Sequence, residues 1–177
     1  MENAVILIDG GYFNRILKNN FGDLNLDYLK FCELICEMLK VKRLRTYYYN
    51  CLPFVRVGNE LDKKRLSNVQ KFLGNLKRLP RFEVKIGKLQ FIGGKFRQKM
   101  VDVLMSLDIV KKSIGSSVGH IILIAGDADF VPAIKIAKDS NIIAHLFYHP
   151  SSVHNELLDE IDELHVLDKD LIDKCRI

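Results

Sequence analysis

The sequence predicts an α/β fold in which a mainly parallel sheet carries helices on both faces. Three observations predict it. Short apolar runs of strand length recur at 4–9, 120–125 and 142–148. Helix-period segments separate the strands, and the first two runs end in glycine and aspartate, as strands do that open onto a ligand crevice. A chain of 177 residues, 48% of them hydrophobic, supplies one core and is expected to form one domain over 1–177.

The first run, AVILID at 4–9, is rich in β-branched residues and closes at Asp9-Gly10-Gly11, a loop whose backbone can approach a ligand closely. Residues 26–39 set Leu26, Leu29, Leu34, Cys36 and Met38 among charges, a helix that Asn25 or Asp27 would cap. RLRTYYYNCL at 43–52 is a strand dense in aromatic and β-branched residues, closed by Pro53. ELDKKRLSNVQKFLGNLKRL at 60–79 has apolar residues at 61, 66, 69, 72, 73 and 76, the spacing of a helix whose other face is strongly basic.

FEVKIGKLQFI at 82–92 predicts a strand, a turn at Gly87 and a second short strand. GGKFRQK at 93–99 then forms a flexible basic lead into a helix at 100–112, MVDVLMSLDIVKK, which is apolar on nearly every side. HIILIAGDADF at 120–130 repeats the N-terminal design, and Pro132 suits the first turn of the helix that follows. IIAHLFY at 142–148 is a buried strand. SSVHNELLDEI at 151–161 starts a helix capped by Ser151 or Ser152, and ELHVLD at 163–168 adds a last short strand.

Charge is distributed unevenly. Residues 40–99 hold seventeen Lys and Arg against three acids, while the rest of the chain holds ten against nineteen. Such separation suits a basic surface for a polyanion beside an acidic region neutralised by cations, although two solvated faces would give the same counts. The four cysteines show no C-x-x-C pair and no histidine at finger spacing, which argues against structural zinc and for a reducing compartment. No run approaches the roughly 20 apolar residues that span a bilayer, and the N-terminal run turns polar too early for a signal peptide. A cytoplasmic protein with no membrane partner is expected.

Four carboxylates stand out. Asp9 and Asp127 fall at the carboxyl ends of apolar strands, where burial without a partner is costly. Asp102 shares a helix stripe with Met105, Ser106 and Ile109. Asp129 would serve equally as a helix cap before Pro132, and gains weight from the company of the other three. Together they offer oxygen donors suited to Mg²⁺ or Mn²⁺ and to hydrolysis of a phosphodiester. Asn14 would hold a water or a phosphate oxygen, and Lys99 and Arg97 would contact phosphate; capping for Asn14 and an ion pair to Asp102 for Lys99 are the plainer roles. The five histidines show no spacing that marks a base or a ligand.

IDGGYFN at 8–14, QKMVDVLMSLD at 98–108 and IAGDADFVPAIKIAK at 124–138 resemble, in order, the motifs of the NYN domain, specifically its LabA-like branch, a relative of the PIN-domain nucleases. SSVHNELLDEIDELHVLD at 151–168 looks like the closing segment of that family, so the resemblance covers nearly the whole chain. It implies a PIN-like three-layer fold and metal-dependent ribonuclease activity on RNA. Carried over by position, Asp9, Asp102, Asp127 and Asp129 match the acidic metal-binding residues. Asn14 matches the polar residue after the first aspartate, and Lys99 the basic residue before the helix aspartate. Asp108 also falls on a commonly acidic position, but ranks second because it points about 120° away from Asp102 around the helix. Ala125 and Ala128 depart from the usual small hydroxyl or polar residues, which bears on loop geometry and rate and leaves the carboxylates intact.

Two other functions compete. A haloacid-dehalogenase-like phosphatase needs a second aspartate two positions after the first, where this chain has Gly11. A non-catalytic RNA-binding module would grip phosphates with residues 40–99 and stack bases on Tyr47, Tyr48, Tyr49 or Phe54, although buried strand positions explain the tyrosines better. Edge strands and the apolar stretch 86–92 leave room for a homodimer.

Overall fold

In the computed structural model, residues 1–92, 95–115 and 117–177 are described, with the backbone alone for 88–92 and 95–99. The first strand, β1 (Asn3–Asp9), is apolar on both faces, so it sits mid-sheet: Ala4, Ile6 and Ile8 enter one core and Val5 and Leu7 the other. Each fully buried Ile or Leu there contributes about 1.5–3 kcal/mol.

Asp9 ends β1 and at once caps α1 (Gly10–Phe21), its Oδ1 accepting from the Tyr12 N–H at 3.0 Å. The loop expected at Gly10-Gly11 is therefore a helix start. Gly10 is required by packing, because a Cβ on it would lie 2.6 Å from Tyr48 Cε1 and from the Tyr49 carbonyl oxygen. Next, α2 (Tyr28–Met38) is capped by Asp27, as expected, and β2 (Lys42–Cys51) pairs in parallel with β1. In α3 (Glu60–Arg78) Leu73 and Leu76 are buried, but Leu61 is 78% exposed and does not share the apolar stripe.

The strand β3 (Phe82–Ile92) runs straight through Gly87 instead of turning there. A side chain at 87 would meet Val101 Cγ2 at 2.6 Å and Cys51 Sγ at 3.1 Å, so this glycine too serves close packing. The reversal comes later, and β4 (Lys95–Lys99) returns antiparallel to β3 where a flexible lead was expected. Of that lead, Gly93 and Gly94 lie outside the described residues, as do the side chains of Arg97 and Lys99.

The chain then crosses the sheet in α4 (Val101–Ser113) and enters β5 (His120–Ile124), which pairs with the free side of β1. A 3₁₀ turn at Ala128–Phe130 leads into α5 (Val131–Asp139), with Pro132 in its first turn as expected. The remaining elements are β6 (Ile143–Tyr148), α6 (Asn155–Glu160), β7 (Glu163–Val166) and α7 (Lys169–Lys174). The position before α6 is His154, with no side-chain hydrogen bond, so neither Ser151 nor Ser152 caps it.

Among the described residues the sheet order is β4-β3-β2-β1-β5-β6-β7, with every neighbouring pair parallel except β4 and β3. One core gathers α1, α2, α3 and α7, and the other α4, α5 and α6. This is the three-layer α/β arrangement expected. The chain winds outward through β2 and β3, then restarts beside β1 with β5. The strand order thus reverses between β1 and β5, and a crevice opens there at their carboxyl ends. All four cysteines are free and buried, and no described helix is long and apolar enough to cross a membrane.

Candidate metal centre

Asp9 and Asp127 emerge on the two sides of this switch point. Asp127 repeats the device of Asp9: its Oδ1 accepts from the Asp129 N–H at 3.0 Å, which orients the carboxylate and starts the 3₁₀ turn. Gly126, just before it, admits no side chain. A Cβ would sit 2.4 Å from Tyr12 Cε2 and 2.5 Å from the Ser152 carbonyl oxygen. Tyr12 also accepts from the His149 N–H at 3.0 Å through its hydroxyl, so α1 holds the loops after β5 and β6 together. Ala125 is fully buried, where a hydroxyl would need a partner of its own.

Asp102 arrives from the opposite layer, in the first turn of α4, after Met100 in a left-handed conformation at φ 86°. Its stripe-mates Met105 and Ile109 are fully buried. Burial, and after it the charges of Asp9, Asp127 and Asp129, together raise the pKa of Asp102 to about 6. Asp9 is likewise pushed up, chiefly by burial and in part by Asp127, against the lowering effect of the Tyr12 N–H and Arg15. Asp102 feels the charges of Asp9, Asp127 and Asp129, and Asp9 that of Asp127, so the four aspartates share one region. Among the described residues no three of their carboxylates stand within metal-ligating distance of one another, and Asp129 is the most exposed. Cys51, at the end of β2, feels Asp102 and Asp9 as well, which puts it at the rim of the same cluster.

Asn14 lies on α1 near the cluster, but its Oδ1 already accepts from the Tyr28 hydroxyl at 3.1 Å and the Tyr48 hydroxyl at 3.3 Å. Its amide N–H donors are the groups left for a ligand. Asp108 is turned elsewhere. It is buried, accepting from the Tyr49 hydroxyl at 2.6 Å and from Lys85 Nζ at 2.5 Å, an ion pair that joins α4 to β2 and β3. Tyr47, Tyr48 and Tyr49 are all buried and offer no face to a base; Phe54 is 49% exposed.

A cleft of about 630 Å³ adjoins the cluster, lined by Gly11 and Asn14, by Asn50 to Phe54, and by Arg56 and Arg65. Arg56 is held by Asp62 at 2.7 Å, and Arg65 is exposed. The sequence places these arginines in a basic stretch without saying which side chains face the site. Arg56 precedes α3 and Arg65 lies within it, and no spacing in the sequence links the two.

The sequence profile of the NYN domain matches residues 3–168, nearly the whole chain. This chain belongs to the NYN domain family. The family lies within a nuclease superfamily, which suggests a hydrolase, and the strand order of this NYN domain is consistent with a PIN-like fold. A crystal structure of a protein of unknown function from Vibrio parahaemolyticus is similar over 96% of this chain and 94% of that one, with a TM-score of 0.66 and 20% identity, a likeness of fold. None of the curated proteins matches the sequence.

Proposed function

We propose that this NYN domain is a LabA-like, metal-dependent ribonuclease, with Mg²⁺ or Mn²⁺ held by Asp9, Asp102, Asp127 and Asp129. The observation that carries the reading is the gathering of four carboxylates at the switch point, where burial and the charges of Asp9, Asp127 and Asp129 raise the pKa of Asp102. An all-oxygen donor set of this charge fits a hard divalent cation. Bound there, the ion would favour ionisation of a water and neutralise charge developing on the phosphate and the leaving oxygen.

The chain's own residues do the positioning. Backbone N–H groups fix the carboxylates of Asp9 and Asp127 before any ligand arrives. Lys63, Lys64, Arg65, Lys71, Lys77 and Arg78 are exposed along α3, and such a face attracts the phosphate backbone of RNA and holds it beside the cluster. Arg97 and Lys99, whose side chains lie outside the described residues, would contact phosphate in this reading.

Cleavage of labelled single-stranded RNA with Mg²⁺ or Mn²⁺ tests it. Asp127→Asn is expected to lose about 100-fold or more in rate while still binding RNA. Equal cleavage by both proteins refutes the catalytic assignment. Binding without cleavage in both identifies a non-catalytic RNA-binding module instead.

A further inference from the structure

At the other end of the strands, three histidines and two glutamates meet across four neighbouring elements. His120 opens β5, His145 lies in β6, Glu163 and His165 lie in β7, and Glu2 precedes β1. Glu2 Oε2 contacts His120 Nε2 at 2.8 Å, His120 Nδ1 contacts His145 Nε2 at 2.9 Å, and His145 Nδ1 lies 3.2 Å from Glu163 Oε2. His145 is 2% exposed, and Glu163, at 52% side-chain exposure, opens the cluster to solvent.

Proton counting shows what this chain of contacts needs. Three contacts run between two carboxylates and two imidazoles, and two neutral imidazoles bring two N–H donors. If His120 donates to Glu2, then His145 donates to His120, and the Nδ1 lone pair of His145 faces the Glu163 carboxylate. That contact is repulsive without a cation or a third proton between the atoms.

The position of His165 decides between them. His165 brings the one further N–H donor, but its Nε2 lies 3.4 Å from His145 Nδ1 and 3.8 Å from Glu163 Oε2, longer than an ordinary hydrogen bond to either. A point equidistant from three atoms at 3.2, 3.4 and 3.8 Å lies about 2.0 Å from each, the length of a zinc bond to imidazole nitrogen or carboxylate oxygen. We propose that His145, Glu163 and His165 bind a zinc ion, with His120 and Glu2 as the partners that orient His145. Two imidazoles and one carboxylate make a donor set suited to zinc and unlike the all-oxygen aspartate cluster. A water on the solvent side of Glu163 completes the coordination. The hydrogen-bonded imidazole and carboxylate behind His145 fix its tautomer, as outer partners of metal-bound histidines do.

The ion ties edge strand β7 to β6 and, through His120 and Glu2, to the start of β5 and the residue before β1. The test is zinc titration of the whole chain, stripped with chelator, against a chromophoric zinc indicator, with Co²⁺ as spectroscopic probe. One zinc per chain is expected, and a melting temperature about 5–10 °C higher at a hundredfold excess over the dissociation constant. His165→Ala and Glu163→Gln should each weaken zinc binding by at least about 100-fold and abolish the melting shift. Asp127→Asn, altered at the other cluster, should keep both. Melting of each variant in chelator shows whether it folds, and Glu163→Gln, at an exposed position, carries the test if His165→Ala does not. Zinc affinity unchanged in both variants, or absent from the native chain at micromolar zinc, overturns the proposal.

Discussion

Asp102→Asn should make the protein more stable in chelator while it disables the proposed metal centre. In the folded chain the carboxyl of Asp102 has a pKa of about 6 against an ordinary 3.8, because of burial and three like-charged neighbours. The folded state therefore binds the proton more tightly, and stability falls as pH rises from the unfolded value through the folded one, then levels off above about pH 7. A shift of about two units corresponds to about 3 kcal/mol, and water and salt around a half-exposed group reduce this to about 1 kcal/mol. Asparagine has no charge to lose. In chelator at pH 8, Asp102→Asn should melt about 2–4 °C above the native chain, and the difference should vanish near pH 3.5. Millimolar Mg²⁺ should raise the native melting temperature more than that of the variant. Equal melting of the two proteins in chelator at pH 8 refutes the reasoning, since it would mean that Asp102 is not held among repelling carboxylates.

Other perturbations separate structural from functional charge. Lys85→Met leaves Asp108 buried with only the Tyr49 hydroxyl, and should cost about 3 kcal/mol in denaturant unfolding with little effect on metal affinity at the aspartate cluster. Gly126→Ala drives a methyl into Tyr12 and the Ser152 carbonyl, so it should destabilise by about 2 kcal/mol and shift Asp127, lowering RNA cleavage measured at a temperature where the variant is folded. Arg65→Gln, in the cleft beside the cluster, should weaken RNA binding evenly across sequences and reduce the slope of log affinity against log salt by about 1.

Much of the architecture is legible in the sequence, because a parallel sheet buried on both faces writes its strands as apolar runs. The carboxylates are legible for the complementary reason: Asp9 and Asp127 interrupt those runs where packing offers them nothing. What escapes is what depends on contact. The helix α1 begins on two glycines and has its cap in the last residue of a strand, so no loop announces it, and Gly10 answers to Tyr48 and Tyr49, far along the chain. The short α7 is only 6 residues long, too short for its periodicity to show. Asp108 looks like a site residue until Lys85 and Tyr49 are seen to enclose it. The histidines at 120, 145 and 165 share no spacing at all, and only the register of β5, β6 and β7 brings them together.

The crossing of α4 from one side of the sheet to the other bears on how such a protein is made. The four aspartates lie between positions 9 and 129, and Asp9, which ends β1, and Asp127, which follows β5, become neighbours only when β5 joins β1. No shorter stretch of chain holds the complete set. A polypeptide emerging from the ribosome therefore lacks the full set until Asp129 has been synthesised. If the proposed ribonuclease reading holds, a nascent chain tethered beside its own transcript stays inert until residue 129 has emerged and β5 has joined β1.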